Sequence, residues 1–250
     1  MHIRIALILA VFLTIILHEP ANSSESIYFS GNSSIQVWRT HDTTGRIINT
    51  SLNRFRLQLD GIKQFSKGNI SMLAVYDNEV LAGGLVKSST FHALEKIPDP
   101  TFIDLSASIS SGKSYRWTHQ LTRAFLGWRT DSLKIVAGRQ RVAWGSGRVW
   151  NPTDRFNPTS PISFDVDGRI GVDAIFAEKY VGSFGAAQFV AAPSNRDHGV
   201  TQKIVTRWRD TIGEADYALL VGSIGNELIT GIDIAANFMG GGFYFELTTG

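Results

Sequence analysis

A repeated alternation of apolar and polar side chains constrains the fold of this chain more than any other feature. It is clearest over residues 52–61. An extended segment there would carry Phe55, Leu57 and Leu59 on one face, and Arg54, Arg56, Gln58 and Asp60 on the other. Successive side chains of a strand point to opposite faces of a sheet. This period of two therefore predicts β-strands that are apolar on one side and suited to water on the other.

Similar stretches recur after residue 26 between turn-forming Gly, Asn, Asp or Ser residues, and no sustained helical period is present. A hairpin is predicted from residues 115–128 and 133–144. Further strands are predicted near residues 70–76, 200–209, 216–221, 231–238 and 243–248. Several exceed the roughly 5–6 residues of an average strand and approach the roughly 9–11 of a tilted membrane-spanning strand. Their length favours a membrane wall over a soluble sheet.

The predicted connections are of two kinds. Residues 179–183 and 224–227 form short turns, whereas residues 78–100 and 145–167 form long connections. Short turns at one end and long loops at the other are typical of outer-membrane barrels. The predicted fold is all-β, an antiparallel up-and-down transmembrane β-barrel. A hydrophobic content of 43% is compatible with this fold, because a spanning strand needs an apolar residue only at every second position.

The N-terminus has the layout of a secretory signal peptide. Arg4 precedes an apolar run at residues 5–17, and a polar stretch at residues 18–26 follows it. The run is shorter than the roughly 20 residues of a membrane-spanning helix, and Ala21 and Ser23 offer small side chains at a cleavage site. We expect a cleaved signal peptide at residues 1–23 and a partial outer-membrane β-barrel domain at residues 24–250. An uncleaved signal anchor is the alternative.

Composition and motifs exclude several classes of function. The chain has no Cys, which argues against disulfide-stapled modules and thiolate metal sites. Its formal charge of +2 and its scattered basic residues predict no nucleic-acid partner. The histidines lack metal-ligand spacing, the aspartates near Gly168 lack the other ligands of a calcium loop, and no Gly-x-Ser-x-Gly elbow is present. We predict no catalytic residue, no metal and no cofactor. A hydrolase that uses serine and histidine is the remaining enzymatic hypothesis.

Two adjacent motifs carry a family resemblance. Residues 138–145 read GRQRVAWG, and residues 150–158 read WNPTDRFNP. This pair resembles the GRQxxxWG and NPxDxFNP signature of a loosely characterised group of porin-like outer-membrane β-barrel proteins of Gram-negative bacteria. The resemblance covers residues 115–180, including VDGRIGVD at residues 166–173. It implies a barrel with a polar lumen in the bacterial outer membrane, with lipid, the barrel assembly machinery and small solutes as partners. It implies no particular solute.

The chain departs from this group at its C-terminus. Barrels of the group are longer and usually finish with an aromatic residue that the assembly machinery recognises, whereas this sequence finishes with Thr248, Thr249 and Gly250. We therefore expect an incomplete barrel of roughly 10–13 strands, truncated in its C-terminal part.

The second motif predicts an ordered loop. The candidate residues of this loop are Asn151, Pro152, Asp154, Arg155, Asn157 and Pro158. The two prolines remove backbone donors and favour extended residues before them, so the segment cannot continue a strand ladder. Asp154 is suited to an Asx-type turn, and Arg155 to pairing with a carboxylate of a neighbouring loop. The loop either folds into the barrel mouth and narrows it, or only caps one end of the barrel.

Charged residues on the predicted polar faces are candidates for lining the pore. They are Arg54, Arg56, Asp60, Arg139, Arg141, Lys203, Arg207, Arg209, Asp233 and Glu246. A basic wall would favour anionic solutes. Alternatively, the arginines and the lysine pair across strands with Asp60, Asp173, Asp216, Asp233 and Glu246 and only keep the lumen polar. The second interpretation is favoured, because residues of opposite charge occur on nearby inward faces.

The predicted function is that of an outer-membrane porin-like channel, which lets small solutes diffuse passively. The alternative is a secreted soluble β-protein that binds saccharide or another envelope component. Extraction only by detergent would favour the channel, and solubility without detergent would favour the alternative.

Overall fold

The described residues form a single antiparallel β-sheet of twelve strands with one short α-helix. A computed structural model describes residues 25–41, 45–95, 101–146, 152–157, 170–196, 199–238 and 240–250. The strands are β1 Glu25–His41, β2 Ile47–Phe65, β3 Gly68–Gly83, β4 Ser106–Gly112, β5 Tyr115–Arg129, β6 Leu133–Gln140, β7 Val172–Val181, β8 Gly185–Arg196, β9 Gly199–Ile212, β10 Ala215–Ile224, β11 Glu227–Phe238 and β12 Gly241–Thr249. The predicted signal peptide, Asn151 and Pro158 lie outside the described residues.

Each strand pairs with the next one along the chain, except at β4. The order is β1-β2-β3-β5-β6-β7-β8-β9-β10-β11-β12, and β4 pairs with β5 beside the end of β6. The predicted all-β, antiparallel up-and-down arrangement is confirmed, and the sheet is not closed, which is consistent with part of a barrel wall. Because eleven antiparallel strands follow one another along this path, β1 and β12 run in the same direction.

Several predicted strand ends were wrong, and two of these errors change the bounds of the long connections. The strand predicted at residues 70–76 continues to Gly83, so the long connection after β3 spans residues 84–105. The strand predicted to reach Trp144 ends at Gln140, because the chain then turns onto the sheet and buries Val142 and Trp144. The second long connection therefore spans residues 141–171.

The two faces of the sheet differ sharply. Strand register places Arg54, Arg56, Arg207 and Asp233 on one face, which we call the inner face. The opposite, outer face carries large apolar side chains that are about half exposed: Phe55 47%, Ile175 55%, Leu219 50%, Val221 52%, Phe243 53% and Leu247 54%. No helix among the described residues is long and apolar enough to cross a bilayer.

Part of each long connection packs on the inner face. Helix α1, Ser89–Glu95, buries Phe91 against Leu52 of β2 and Leu81 of β3. The connection after β6 forms a larger cluster with strands β7 to β11. The buried members of this cluster are Val142, Trp144, Phe156, Val172, Ala174, Val190, Ala192, Val205, Leu220 and Ile229. The main apolar core therefore lies between the sheet and a segment of the chain that crosses its inner face.

Candidate functional site

Strands β2 and β3 carry two ion pairs on the inner face. The register sets Arg54 opposite Glu79 and Arg56 opposite Asp77. Arg54 Nε lies 2.5 Å from Glu79 Oε1. Arg56 donates from Nε and Nη2 to the two oxygens of Asp77, at 2.6 and 2.7 Å. This fork geometry is the strongest form of an arginine–carboxylate contact, and the Asp77 side chain is fully buried.

Strands β7 to β11 carry a second charged network, whose ion pairs reach over intervening strands. Arg207 Nη2 lies 3.1 Å from Asp233 Oδ2 across β10, where the small Ala218 lies opposite Asp233. Arg209 Nη2 lies 3.0 Å from Glu178 Oε1 across β8. Gln188 of β8 links the two pairs, since it donates to Glu178 and accepts from Arg207. Both arginines are thereby neutralised within the wall.

The segment over the second network is built around two aromatic rings. We call residues 141–157 the inner segment, of which residues 141–146 and 152–157 are described. The rings of Trp144 and Phe156 meet edge to face, with centroids 5.0 Å apart. Arg207 lies over the Trp144 ring at 5.9 Å. Both aromatic side chains are almost fully buried, so the apolar contact fixes the segment on the sheet.

Charged residues of the wall also bind the inner segment. Ser146 donates a hydrogen bond to Asp233. Thr153 donates from its backbone N and from Oγ1 to Glu246 Oε2, at 3.2 and 2.8 Å. Lys203 Nζ donates to a backbone oxygen, that of Arg155, at 3.0 Å. Three of the predicted pore-lining residues, Lys203, Asp233 and Glu246, therefore hold the segment in place.

Asn157 closes the base of the inner segment. Its Oδ1 accepts from Val142 N at 3.1 Å, and its Nδ2 donates to Val142 O at 2.7 Å and to Asp154 Oδ1 at 2.8 Å. Asp154 also accepts from the backbone N–H groups of Phe156 and Asn157, as an Asx-type turn requires. Burial raises the pKa of the Asp154 carboxyl above its ordinary value, against the opposing effect of these hydrogen bonds.

A glycine is required where the inner segment comes closest to β12. Gly145 has φ +100°, and a Cβ there would lie 2.6 Å from Thr153 Oγ1 and 2.9 Å from a carboxylate oxygen of Glu246. A larger residue would be strained at this positive φ and would displace the Thr153 hydroxyl and the Glu246 carboxylate. This close approach accounts for the glycine that ends the first motif.

The described contacts of the inner segment bear on the interpretation of the loop. Val142, Trp144 and Phe156 pack against the inner face, and Thr153 and Arg155 are bound to Glu246 and Lys203 of the wall. Arg155 departs from expectation. It is exposed, and in the described part of the chain its contact with the wall is its backbone oxygen, which accepts from Lys203, while its guanidinium pairs with no carboxylate.

Arg139 lies on the outer face, opposite to Arg54 and Arg207, because its register pairs it with Asp173 and Ala124. It is buried, with Nε 3.0 Å from Asp173 Oδ1. Its Nη2 donates to the backbone oxygen of Ile103, whose N–H donates to Asp173 Oδ2 at 2.8 Å. The Arg139–Asp173 pair therefore holds Ile103, which precedes β4, against the sheet. Arg141 follows the end of β6 and is exposed.

The remaining predicted pore-lining residues, Arg54, Arg56, Asp60, Arg207 and Arg209, lie on the inner face. Sequence reasoning missed the carboxylates that pair with three of them, Arg54, Arg56 and Arg209. Asp77, Glu79 and Glu178 each lie at an inward position of a strand, which is the signal that would have found them. In the described ranges, no group of His, Asp and Glu has the make-up of a metal site. No family model, no curated protein and no solved structure matches the chain.

Proposed function

We propose that this chain is a porin-like channel of the bacterial outer membrane, through which small solutes diffuse passively. The observation that carries the proposal is the contrast between the two faces of one sheet. Apart from the buried Arg139–Asp173 pair, the outer face carries exposed apolar side chains, whereas the inner face holds charged side chains in ion pairs. A wall between lipid and water requires this division.

The outer face is suited to lipid. Half-exposed Phe, Leu, Ile and Val side chains extend from β2 to β12, as at Phe55, Ile175, Leu219 and Phe243. Soluble monomers rarely expose contiguous apolar patches above a few hundred Å². A bilayer removes the cost of this surface, because lipid tails replace water around it. We infer that the chain is exported by its signal peptide and inserted by the barrel assembly machinery.

The inner face is suited to an aqueous path. Its arginines are matched by carboxylates, so the wall is polar but nearly neutral, and we expect weak discrimination between anions and cations. The inner segment lies on strands β7 to β12 and reduces the open width there. Width, more than charge, would then limit which solutes pass.

A pair of matched variants tests the assignment of the faces. Phe55→Arg places a charge on the outer face, and Gln58→Arg places the same charge on the inner face of the same strand. A charge on a lipid-facing strand costs about 2–4 kcal/mol at the bilayer midplane. We expect the full chain to need detergent, to show heat-modifiable migration on gels, and to lose insertion into vesicles with Phe55→Arg but not with Gln58→Arg.

Conductance across planar bilayers tests the channel itself. We expect ohmic current steps in which potassium and chloride differ little in permeability. Purification of the folded chain without detergent would instead support a soluble β-protein that binds saccharide or another envelope component. An inserted chain without conductance would contradict the channel alone.

A further inference from the structure

A cavity of about 240 Å³ lies on the inner face, beside Gly145 and Ser146 of the inner segment. Strands β9, β10 and β11 form its floor, and Gly145 and Ser146 form its upper side. The cavity is smaller than the roughly 300 Å³ at which sites for drug-sized ligands begin. It is therefore of a size for a small metabolite, and it lies on the route that the proposed channel gives to solutes.

Two guanidinium groups offer hydrogen-bond donors at this cavity. Arg207 uses Nη1 for Gln188 and Nη2 for Asp233, which leaves its buried Nε without an acceptor among the described residues. Arg209 uses Nη2 for Glu178 and keeps 41% of its side chain exposed. A buried donor without an acceptor is costly. Arg207 Nε is itself closed to solvent, so a ligand carboxylate would bind at Arg209, whose Nε and Nη1 have no acceptor among the described residues.

Carboxylates offer acceptors on the other side of the same cavity. Asp216 accepts from Thr211 Oγ1 through Oδ1 at 2.7 Å. Its side chain is exposed, and within the described ranges no cation pairs with it, nor with Asp210. Asp233 is the third acid of the lining, but it is already used by Arg207 and Ser146. Asp216 is therefore the group best placed to receive a cationic donor.

The charge balance selects the ligand class. The inward charges of the lining are those of Arg207, Arg209, Asp216 and Asp233, since Asp210 lies at an outward position of β9, so the lining has no net charge that would attract an ion of either sign. A cation would leave the free donors of Arg209 without an acceptor. A neutral polyol would form hydrogen bonds in which only one partner is charged, and these are weaker than hydrogen bonds between two charged groups. A zwitterion matches both signs and carries no net charge.

We propose that this cavity binds small zwitterions of the α-amino acid type, with the carboxylate at Arg209 and the ammonium group at Asp216. The inference names a solute class for the proposed channel and rests on that function for its meaning in the cell. Binding itself is measurable without conductance, so the two can fail separately.

The test is a ligand-observed NMR titration of the full chain, folded in detergent micelles. The probes are L-alanine, its N-acetyl derivative, its amide and glycerol, which are respectively a zwitterion, an anion, a cation and a polyol. We expect L-alanine to bind at least tenfold more tightly than each of the other three, as one lost charge-assisted hydrogen bond implies. Equal affinities, tighter binding of glycerol, or no binding of L-alanine would overturn the inference.

Variants locate the binding. Asp216→Asn removes an exposed charge and leaves the strand intact, so we expect the affinity for L-alanine to fall about tenfold, to that of the N-acetyl derivative. Arg209→Gln should weaken the binding of L-alanine to a similar degree and leave the affinity for its amide unchanged.

Glu214→Gln, in the turn two residues before Asp216, is the matched control and should change neither affinity. Unchanged binding in Asp216→Asn would place the ligand elsewhere. A chain that conducts but does not bind L-alanine would refute this inference and retain the channel.

Discussion

The inner faces of β2–β3 and of β9–β12 use similar charged residues in different ways. On β2–β3, Arg54 and Arg56 pair with carboxylates directly opposite them on the adjacent strand. On β9–β12, Lys203 and Glu246 bind the inner segment, and Asp233 is shared between Arg207 and Ser146. The first wall satisfies its own charges, whereas the second uses them to hold another part of the chain.

The two walls contain similar charged residues, and their position in the fold decides what each charge binds. Charges on β2–β3 pair within one hairpin and stabilise the register of two strands. Charges on β9–β12 connect residues more than 40 positions apart, as Lys203 and Arg155 do. Loss of a charge should therefore affect stability alone in the first wall, but stability and solute passage together in the second.

The largest effect is expected from truncating the aromatic anchor of the second wall. Phe156→Ala removes a side chain that is 1% exposed, and such truncations cost about 3–5 kcal/mol. We expect the inner segment to become sensitive to protease and single-channel conductance to rise. Phe91→Ala in α1 is the matched control, because it empties a cluster on β2–β3. It should lower stability in urea without exposing the inner segment, and a protected segment in Phe156→Ala would contradict its anchoring role.

Two carboxylate variants compare the walls directly. Asp77→Asn leaves Arg56 without its charged partner in a buried site, at a cost of about 3 kcal/mol. Asp233→Asn weakens contacts with both Arg207 and Ser146. We expect both variants to unfold at lower urea concentration, but only Asp233→Asn to change the current. Altered conductance in Asp77→Asn would show that the first wall also shapes the pore.

Alternation is a local property, and it predicted eight of the twelve described strands, whereas β1, β4, β7 and β8 were not predicted. The stretch at residues 52–61 lies within β2, and the faces assigned to Arg54 and Phe55 are those of the structure. The ends of strands were less predictable. Nothing in the local pattern of Val142 and Trp144 distinguishes a continuing strand from a segment that turns onto the sheet, since burial on the sheet depends on distant residues such as Val190 and Val205.

Ion-pair partners depend on register, which local sequence does not define. Asp173 and Asp233 were among the carboxylates expected to pair, and both do. Asp77 and Glu178 were missed, because their partners are set by the pairing of whole strands. Arg139 shares a sequence motif with Gln140, yet one residue of offset places the two side chains on opposite faces.

A smaller effect is expected where the inner segment meets β12. Glu246→Gln keeps the shape of the side chain but removes the charge that accepts from Thr153 N and Oγ1. Thr153→Val removes one of these donors. A double-mutant cycle in urea should give a coupling of about 1 kcal/mol. Glu227→Gln, on the neighbouring strand β11, replaces Glu246→Gln in the control cycle and should show no coupling with Thr153→Val.

The smallest effect is a pH dependence confined to the inner segment. Burial raises the pKa of Asp154, so the folded segment favours the protonated carboxyl more than the unfolded chain does. This contribution to stability is fully present below the ordinary pKa of an aspartate and is lost as pH rises through the raised value. Protease should therefore cut the segment more slowly in acid than at neutral pH. This difference should be smaller in Asp154→Asn, whose side chain cannot titrate.

The β2–β3 wall has no part in this effect, so Asp77→Asn should keep the pH profile of the unmodified chain. The same profile in Asp154→Asn as in the unmodified chain would assign the effect to another group.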